Sequence, residues 1–401
     1  MLAHGLAGAG SLFTGALLAV PTVLLIAFGD WRQFRPHATD LLFTAFVALV
    51  GISVAINGVA GDIKELALLS LTLAAYPAAR LSGRHLLAPG FFAVASAAVL
   101  AVAVATAIAL AKQWTWSHGK PLVFDQFDAA PTQCAALLGL LVLTIATSEK
   151  LSVRQVTLLG LAASLPAAIF AASMVRFTFI ALGLSLLAAI ALKPAGAGRR
   201  AAILISLIVM SASVLGAAAR WHQATIFLHH AATVGDLAAR APDARLYLPD
   251  PADAAHCPPI DIDNSIAVRK QLYIDAAAAI PNAGPFGIGL DGFLARSCIK
   301  GFSPHNAFLQ AAIEFGWPAG VILVLLVATR FRRDTFAMAR ISAGFRFAAC
   351  ALLYLCLLAI AHGRISRELG LFMLLGYAAE LRAARRAIAT AWMLRPPLLT
   401  R

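Results

Sequence analysis

Three places in this chain combine residue types and spacings that could do chemistry. The first is Ser303-Pro304-His305-Asn306, followed by Gln310 and Glu314. Asn306, Gln310 and Glu314 recur at i, i+4 and i+8, so on a helix they share one face. Ser303 reads as the N-cap and Pro304 as the first helical residue, which puts His305 in the first turn. Free backbone N–H groups and the positive end of the helix dipole gather there and suit an anion such as phosphate. The same field opposes protonation of His305, leaving its imidazole able to take a proton from a hydroxyl. The second place is Arg176, in Ser173-Met174-Val175-Arg176, and the third is Arg269. A guanidinium holds phosphate oxygens in a planar fork, so Arg176 and Arg269 are the candidate anion ligands. Plainer readings stand beside these. His305 could meet lipid headgroups, and Arg176 could snorkel to the membrane surface.

Other patterns carry less. Gly287 to Gly292 spells G-x-G-x-x-G, downstream of Gly284-Pro285-Phe286. A dinucleotide fingerprint needs a strand before it and a helix after it, and neither is read here. These glycines are instead expected to form turns where a loop packs on the rest of the molecule. Asp261-Ile262-Asp263 resembles a sugar-nucleotide D-x-D but has no soluble α/β domain around it. His229, His230 and His256 lack zinc-ligand spacing, and the five cysteines include no C-x-x-C. No metal or cofactor is therefore expected. Asp125 and Asp128 read as solvated loop residues, and Trp114 and Trp116 as interfacial anchors.

The elements that must position these residues are set by composition. The chain has 401 residues, 61% hydrophobic and 13% charged, with a mean hydropathy of +0.83. Soluble domains run at roughly 45–50% apolar and about 25% charged. This excludes a soluble enzyme, a nucleic-acid-binding domain and a disordered chain. The fold class is all-α, a polytopic membrane protein.

Stretches long enough to span a bilayer occur at 8–28, 39–59, 63–80, 90–112, 131–148, 155–173, 174–192, 200–219, 305–328, 341–362 and 367–381. The first is read as a retained helix, since no A-x-A cleavage site and soluble domain follow it. No repeat of 20–50 residues is visible. One set of alternate loops carries eighteen Lys and Arg, among them Arg80, Lys150, Arg330 and Arg382. The other short loops carry six: Lys64, Lys112, Lys120, Arg176, Arg364 and Arg367. The positive-inside rule makes the first set cytoplasmic, with the N-terminus outside and the C-terminus inside. The net charge of +13 then belongs mostly to cytoplasmic loops and calls for no nucleic acid.

A single transmembrane domain over 1–401 is thus expected, with one large insertion, the loop 219–304, facing outside. Ile266–Ile280 reads as a helix within that loop, and Ala241–Pro259 as irregular. Cys257 and Cys298 both lie there, where an oxidising compartment would permit a disulfide. Cys134, Cys350 and Cys356 fall in spans. Counted back from residue 192, Arg176 lies roughly 24 Å from the cytoplasmic end, at 1.5 Å per residue, and so near the outer face.

The order of these residues resembles the bacterial O-antigen ligase/polymerase superfamily (WaaL and Wzy type). An Arg at the outer end of a middle helix precedes a long outer loop. The loop carries Arg269 and Pro285-Phe286-Gly287-Ile288-Gly289, closes on Ser303-Pro304-His305-Asn306, and leads to Glu314-x-Gly316. The hydropathy resemblance covers the whole chain, the motifs about 173–320. Such ligases count twelve spans with both ends inside, against eleven here.

The resemblance implies a GT-C-like architecture in the inner membrane, with its active site facing the periplasm. It implies transfer of a glycan from undecaprenyl pyrophosphate to a sugar hydroxyl of lipid A–core. The transfer would be metal-independent and inverting, with no cofactor. Arg176 and Arg269 would hold the donor pyrophosphate, His305 would act as base, and Asn306 and Glu314 would support substrate binding. Three alternatives stay open: an O-antigen or exopolysaccharide polymerase, a protein-glycosylating relative, and a transporter or lipid flippase. The last would be expected to show inverted repeats and midplane polar sites.

Overall fold

A computed structural model describes residues 11–29, 31, 34–82, 89–114, 120–232, 246–247, 256–262 and 264–393. The chain is an all-α polytopic membrane protein. Its helices are α1 Ser11–Ala27, α2 Ala38–Asn57, α3 Ile63–Ser82, α4 Pro89–Lys112, α5 Ala130–Thr147, α6 Val153–Ala172, α7 Arg176–Leu192 and α8 Ala197–Ala219. The long loop then holds α9 Trp221–Ala232, strands β1 Leu246–Tyr247 and β2 Ile260–Asp261, and α10 Ser265–Ala283. After it come α11 Ala307–Glu314, α12 Trp317–Ala328, α13 Arg333–Ile341, α14 Ala343–Ala361, a 3₁₀ turn Ile365–Arg367 and α15 Leu369–Met393.

Each of the eleven expected spans has a helical counterpart. Among the described residues six helices are long and apolar enough to cross a membrane: Ala38–Asn57, Gly90–Lys112, Ala130–Thr147, Val153–Ala172, Ala197–Ala219 and Ala343–Ala361. The others depart from that standard for visible reasons. Helix α3 carries Lys64, Glu65 and Arg80, and α7 is a short apolar helix that begins at Arg176.

The ninth expected span, 305–328, is not continuous. It breaks into α11 and α12 at Phe315-Gly316. Gly316 has φ +94°, and Pro318 sits in the first turn of α12, where a missing N–H costs nothing. A Cβ at Gly316 would lie 2.1 Å from the Pro285 carbonyl oxygen. A Cβ at Gly287 (φ +70°) would lie 2.3 Å from the Glu314 carbonyl oxygen. Two glycines therefore let the 285–290 loop press on the break. Ile288 and Gly289 N–H groups donate to the Ile313 and Glu314 carbonyls at 3.1 and 3.0 Å, and Ala60 N–H donates to Leu290 O at 2.9 Å.

One apolar core runs through the bundle, built from residues such as Phe46, Leu69, Val142, Phe170, Leu182, Ile205, Leu323 and Tyr354. Large apolar side chains of α4, α6 and α8, including Val104, Leu165 and Leu215, point outward, as a lipid-facing surface requires. The long loop has its own small core of Ile260, Val268, Leu272, Ala276, Phe293 and Ile299, which reaches Ile313 of α11. Cys257 and Cys298 form a disulfide that ties β2's approach to the turn after the glycine-rich stretch. The expected loop helix Ile266–Ile280 is α10. Of the stretch expected to be irregular, Ala241–Pro259, only 246–247 and 256–259 are described, and the rest, with Trp116, lies outside the described residues.

Candidate functional site

Helix α10 brings two long side chains to the bundle. Asn264 caps it, its Oδ1 accepting from the Ile266 and Ala267 N–H groups at 3.1 and 3.2 Å. Val268, Leu272 and Ala276 fix one face into the loop core. Arg269 and Tyr273, at i and i+4, project from a neighbouring face toward the end of α14. Tyr273 donates its hydroxyl proton to Ile360 O at 2.7 Å, and Arg269 donates from Nη2 to His362 Nδ1 at 3.0 Å. The Arg269 guanidinium also lies over the Phe177 ring, 4.8 Å from its centroid.

His305 is not in the first turn of a helix. It holds φ +51° in the turn before α11, and the cap is Asn306, not Ser303. Asn306 Oδ1 accepts from Phe308 and Leu309 N–H groups at 3.0 and 3.2 Å. Asparagine satisfies the free N–H groups from its own position and frees the preceding residue to turn, which a cap at Ser303 would not allow. The Asn306 side chain also hydrogen-bonds Tyr273.

His305 is half-buried, and its environment is cationic. Burial first, then the charges of Arg269, Lys120 and Arg364, push its pKa down to about 4. His362 is pushed down to about 3 by burial, Arg269, Lys120 and His305. Two neutral imidazoles thus sit among arginines and a lysine near neutral pH. Lys120 donates from Nζ to Thr132 Oγ1 at 2.8 Å. Burial lowers its pKa, Asp128 opposes that, and Arg269 adds to it.

Arg176 stands beside this group. It opens α7 after a tight turn with Met174 at φ +64°. Its Nη2 donates to Gln223 O at 3.2 Å, and the Arg220 charge acts on it. Arg220 is buried, donates to Ala172 O at 3.4 Å and lies 6.0 Å from the Trp114 ring centroid. The structure therefore brings Arg269 and His305 into one electrostatic group. Arg176 joins it through the next residue, Phe177.

Glu314 lies deeper, fully buried at the base of α11. Gln310 Nε2 donates to its Oε2 at 3.0 Å, and Gln310 Oε1 accepts from Ile365 N–H at 2.9 Å. Around it runs a paired charge network. Arg364 Nη2 donates to both Asp291 oxygens at 2.8 Å and faces Glu65 at 3.4 Å, while Arg367 meets Glu65 at 2.6 Å. Asp291 has φ +63° within the glycine-rich stretch. So that stretch forms turns packed on the bundle and delivers a carboxylate.

The sequence reading missed Lys120, Tyr273, Asp291, His362 and Arg364. A signal existed for two of them. Lys120 and Arg364 belong to the few cations on the face that the charge bias leaves poor in them. Of the weaker patterns, Asp261 is in β2 while Asp263 lies outside the described residues. His229 is in α9, the side chain of His230 is outside the described residues, and His256 is an exposed turn residue. Among the described residues no three His, Cys, Asp or Glu side chains group as metal ligands.

Residues 161–324 match the family model described as O-Antigen ligase. The matched stretch runs from within α6 to within α12. It contains Arg176, Arg269, His305, Asn306 and Glu314, and leaves out Lys120, His362 and Arg364. A search of curated proteins finds no match.

Proposed function

Because the chain belongs to the O-antigen ligase/polymerase superfamily, we propose that it is a lipid-linked-glycan glycosyltransferase acting as an O-antigen ligase. On this reading it moves a glycan from undecaprenyl pyrophosphate to a sugar hydroxyl of lipid A–core, at the periplasmic face of the inner membrane. The observation that carries the reading is the neutral His305 beside the Arg269 and Lys120 cations. The Cys257–Cys298 disulfide supports an oxidising side for this loop.

The chemistry follows from these groups. The donor's pyrophosphate already leaves well, so the protein must stabilise its charge and activate the acceptor. Arg269, with Lys120 and the Arg176–Arg220 pair, receives the pyrophosphate. His305 takes the acceptor hydroxyl proton as that oxygen attacks the anomeric carbon. The bond from the anomeric carbon to the phosphate oxygen breaks, and undecaprenyl pyrophosphate departs with the electron pair. A single displacement inverts the anomeric centre. Asn306 holds the His305 turn through the α11 cap, and Glu314 braces the same helix from below.

The deciding experiment is a lipopolysaccharide gel on a deletion strain, with lipid-linked glycan extracted in parallel. Bare lipid A–core with long glycan accumulating on undecaprenyl pyrophosphate identifies a ligase. Single repeat units on lipid A–core identify a polymerase. Two unchanged pools overturn both.

A further inference from the structure

Arg269 and Arg364 are arginines of the same face with opposite kinds of partner. Arg364 is held by the carboxylates of Asp291 and Glu65. Arg269 is held by two rings, His362 at 3.0 Å from Nη2 and Phe177 at 4.8 Å from the guanidinium carbon. Those rings also brace each other edge to face, 5.2 Å apart at 78°. Among the described residues no carboxylate forms an ion pair with Arg269. A guanidinium can only donate, so His362 Nδ1 must be the acceptor and the imidazole proton sits on Nε2. Burial and the surrounding cations keep that ring uncharged.

The difference has a consequence for anion binding. A carboxylate at this distance would fix the guanidinium equally well but would cancel most of its charge, and an incoming phosphate would have to compete with it. A neutral acceptor fixes the fork and spares the charge. We propose that His362 is a positioning residue that orients the Arg269 guanidinium without neutralising it, keeping its full charge for the anionic part of the donor. This rests on the reading that Arg269 meets the donor pyrophosphate.

The test compares His362→Asn, His362→Leu and His362→Asp in the full-length, detergent-purified protein. Asn keeps a neutral oxygen acceptor close to where Nδ1 sits. Leu removes the acceptor, and Asp restores it with a charge. Two readouts are taken: binding of inorganic pyrophosphate by titration calorimetry, and KM and kcat for the lipid-linked donor. The expected order of affinity is wild type, then Asn within about threefold, then Leu weaker by about tenfold or more, with Asp no better than Leu. Donor KM follows the same order.

A purely structural role predicts the reverse for the charged variant, since Asp would make an ion pair with Arg269. Asp binding pyrophosphate as tightly as Asn overturns the proposal. So does a wild-type protein that binds no pyrophosphate. Asn serves as the folding control: if Asn and Leu are equally weak while both remain monodisperse, the acceptor is not what matters and the proposal fails. If the wild type transfers no glycan yet binds pyrophosphate in the expected order, the ligase reading falls and the role of His362 stands. If it transfers glycan and Asp equals Asn, only the role of His362 falls.

Discussion

Arginines at the two ends of the bundle meet opposite settings. On the face with the long loop, the half-buried Arg269 is held by uncharged rings, and the neighbouring Lys120 by a threonine hydroxyl. At the other end, Arg80, buried in the last turn of α3, lies between Asp40 and Glu380. There Tyr76 donates to the same Asp40 oxygen at 2.7 Å, and Arg330 meets Thr39. Arg346, also buried, is paired with Glu149 and with the carbonyls of Ala339 and Arg340. Burying a cation is expensive unless it is paired. Where the chain meets that cost with carboxylates, the arginine is finished business and serves the fold. Where it leaves the charge standing, an anion from outside can complete the site.

The comparison breaks most directly through activity. His305→Ala and Arg269→Ala are expected to cut transfer by about 10²–10⁴-fold while membrane levels and thermal stability stay near wild type. Transfer rate per folded protein, with a detergent melting curve, checks both halves. Near-native activity in His305→Ala removes it as the base.

The opposite end should respond the other way. Asp40→Ala removes the carboxylate shared by Arg80 and Tyr76 and leaves a buried guanidinium short of its partner. The expected loss is about 3–5 kcal/mol of stability, seen as poor expression and a lower melting temperature. The molecules that do fold should transfer glycan normally. A specific loss of turnover with unchanged melting would mean the two ends are coupled in function.

Asp291→Asn sharpens the boundary between the two settings. Arg364 shares the loop face with Arg269 but is paired like Arg80. If pairing marks a structural arginine, this change should lower stability by about 1–3 kcal/mol, with donor KM moving less than it does in Arg269→Ala. A larger shift in KM than in melting temperature would place Arg364 with the anion-binding cations.

How much of this was legible follows the same division. Hydropathy alone located the helices of the expected spans, because twenty apolar residues have few other fates, but not the short, more polar α9 and α13. It missed the break at Gly316, although Gly316-x-Pro318 is a break signal in its own right, because a window average is blind to φ. Arg176, Arg269 and His305 could be singled out as candidates because each stands out against apolar or loop neighbours in a familiar order. His362 and Arg364 were not. They follow α14 closely, and their partners lie 93 and 73 residues away in sequence. Asn306 was read as a helix-face residue when its role as cap displaces His305 into a left-handed turn. Only the three-dimensional pairing separates a compensated arginine from an exposed charge.

The smallest effect expected is a shift in a pH profile, and it tests whether the cation cluster is uncompensated. In the free protein His305 is held at about 4 by burial and by Arg269, Lys120 and Arg364. A depressed imidazole is neutral in the folded protein, while its unfolded counterpart titrates near 6.5. Between those values the unfolded chain binds more protons, so stability falls as pH drops from about 6.5 towards 4. The acid limb of kcat/KM, which reports the free protein, should therefore lie near 4. A bound pyrophosphate brings negative charge against the same cations and offsets their push on His305. The acid limb of kcat, which reports the substrate complex, should move upward from it. If donor charge were met by an already neutralised site, the two limbs would coincide. A steady-state profile from pH 4.5 to 8 in which kcat falls on the acid side before kcat/KM does is the signature of charge left uncompensated for the substrate.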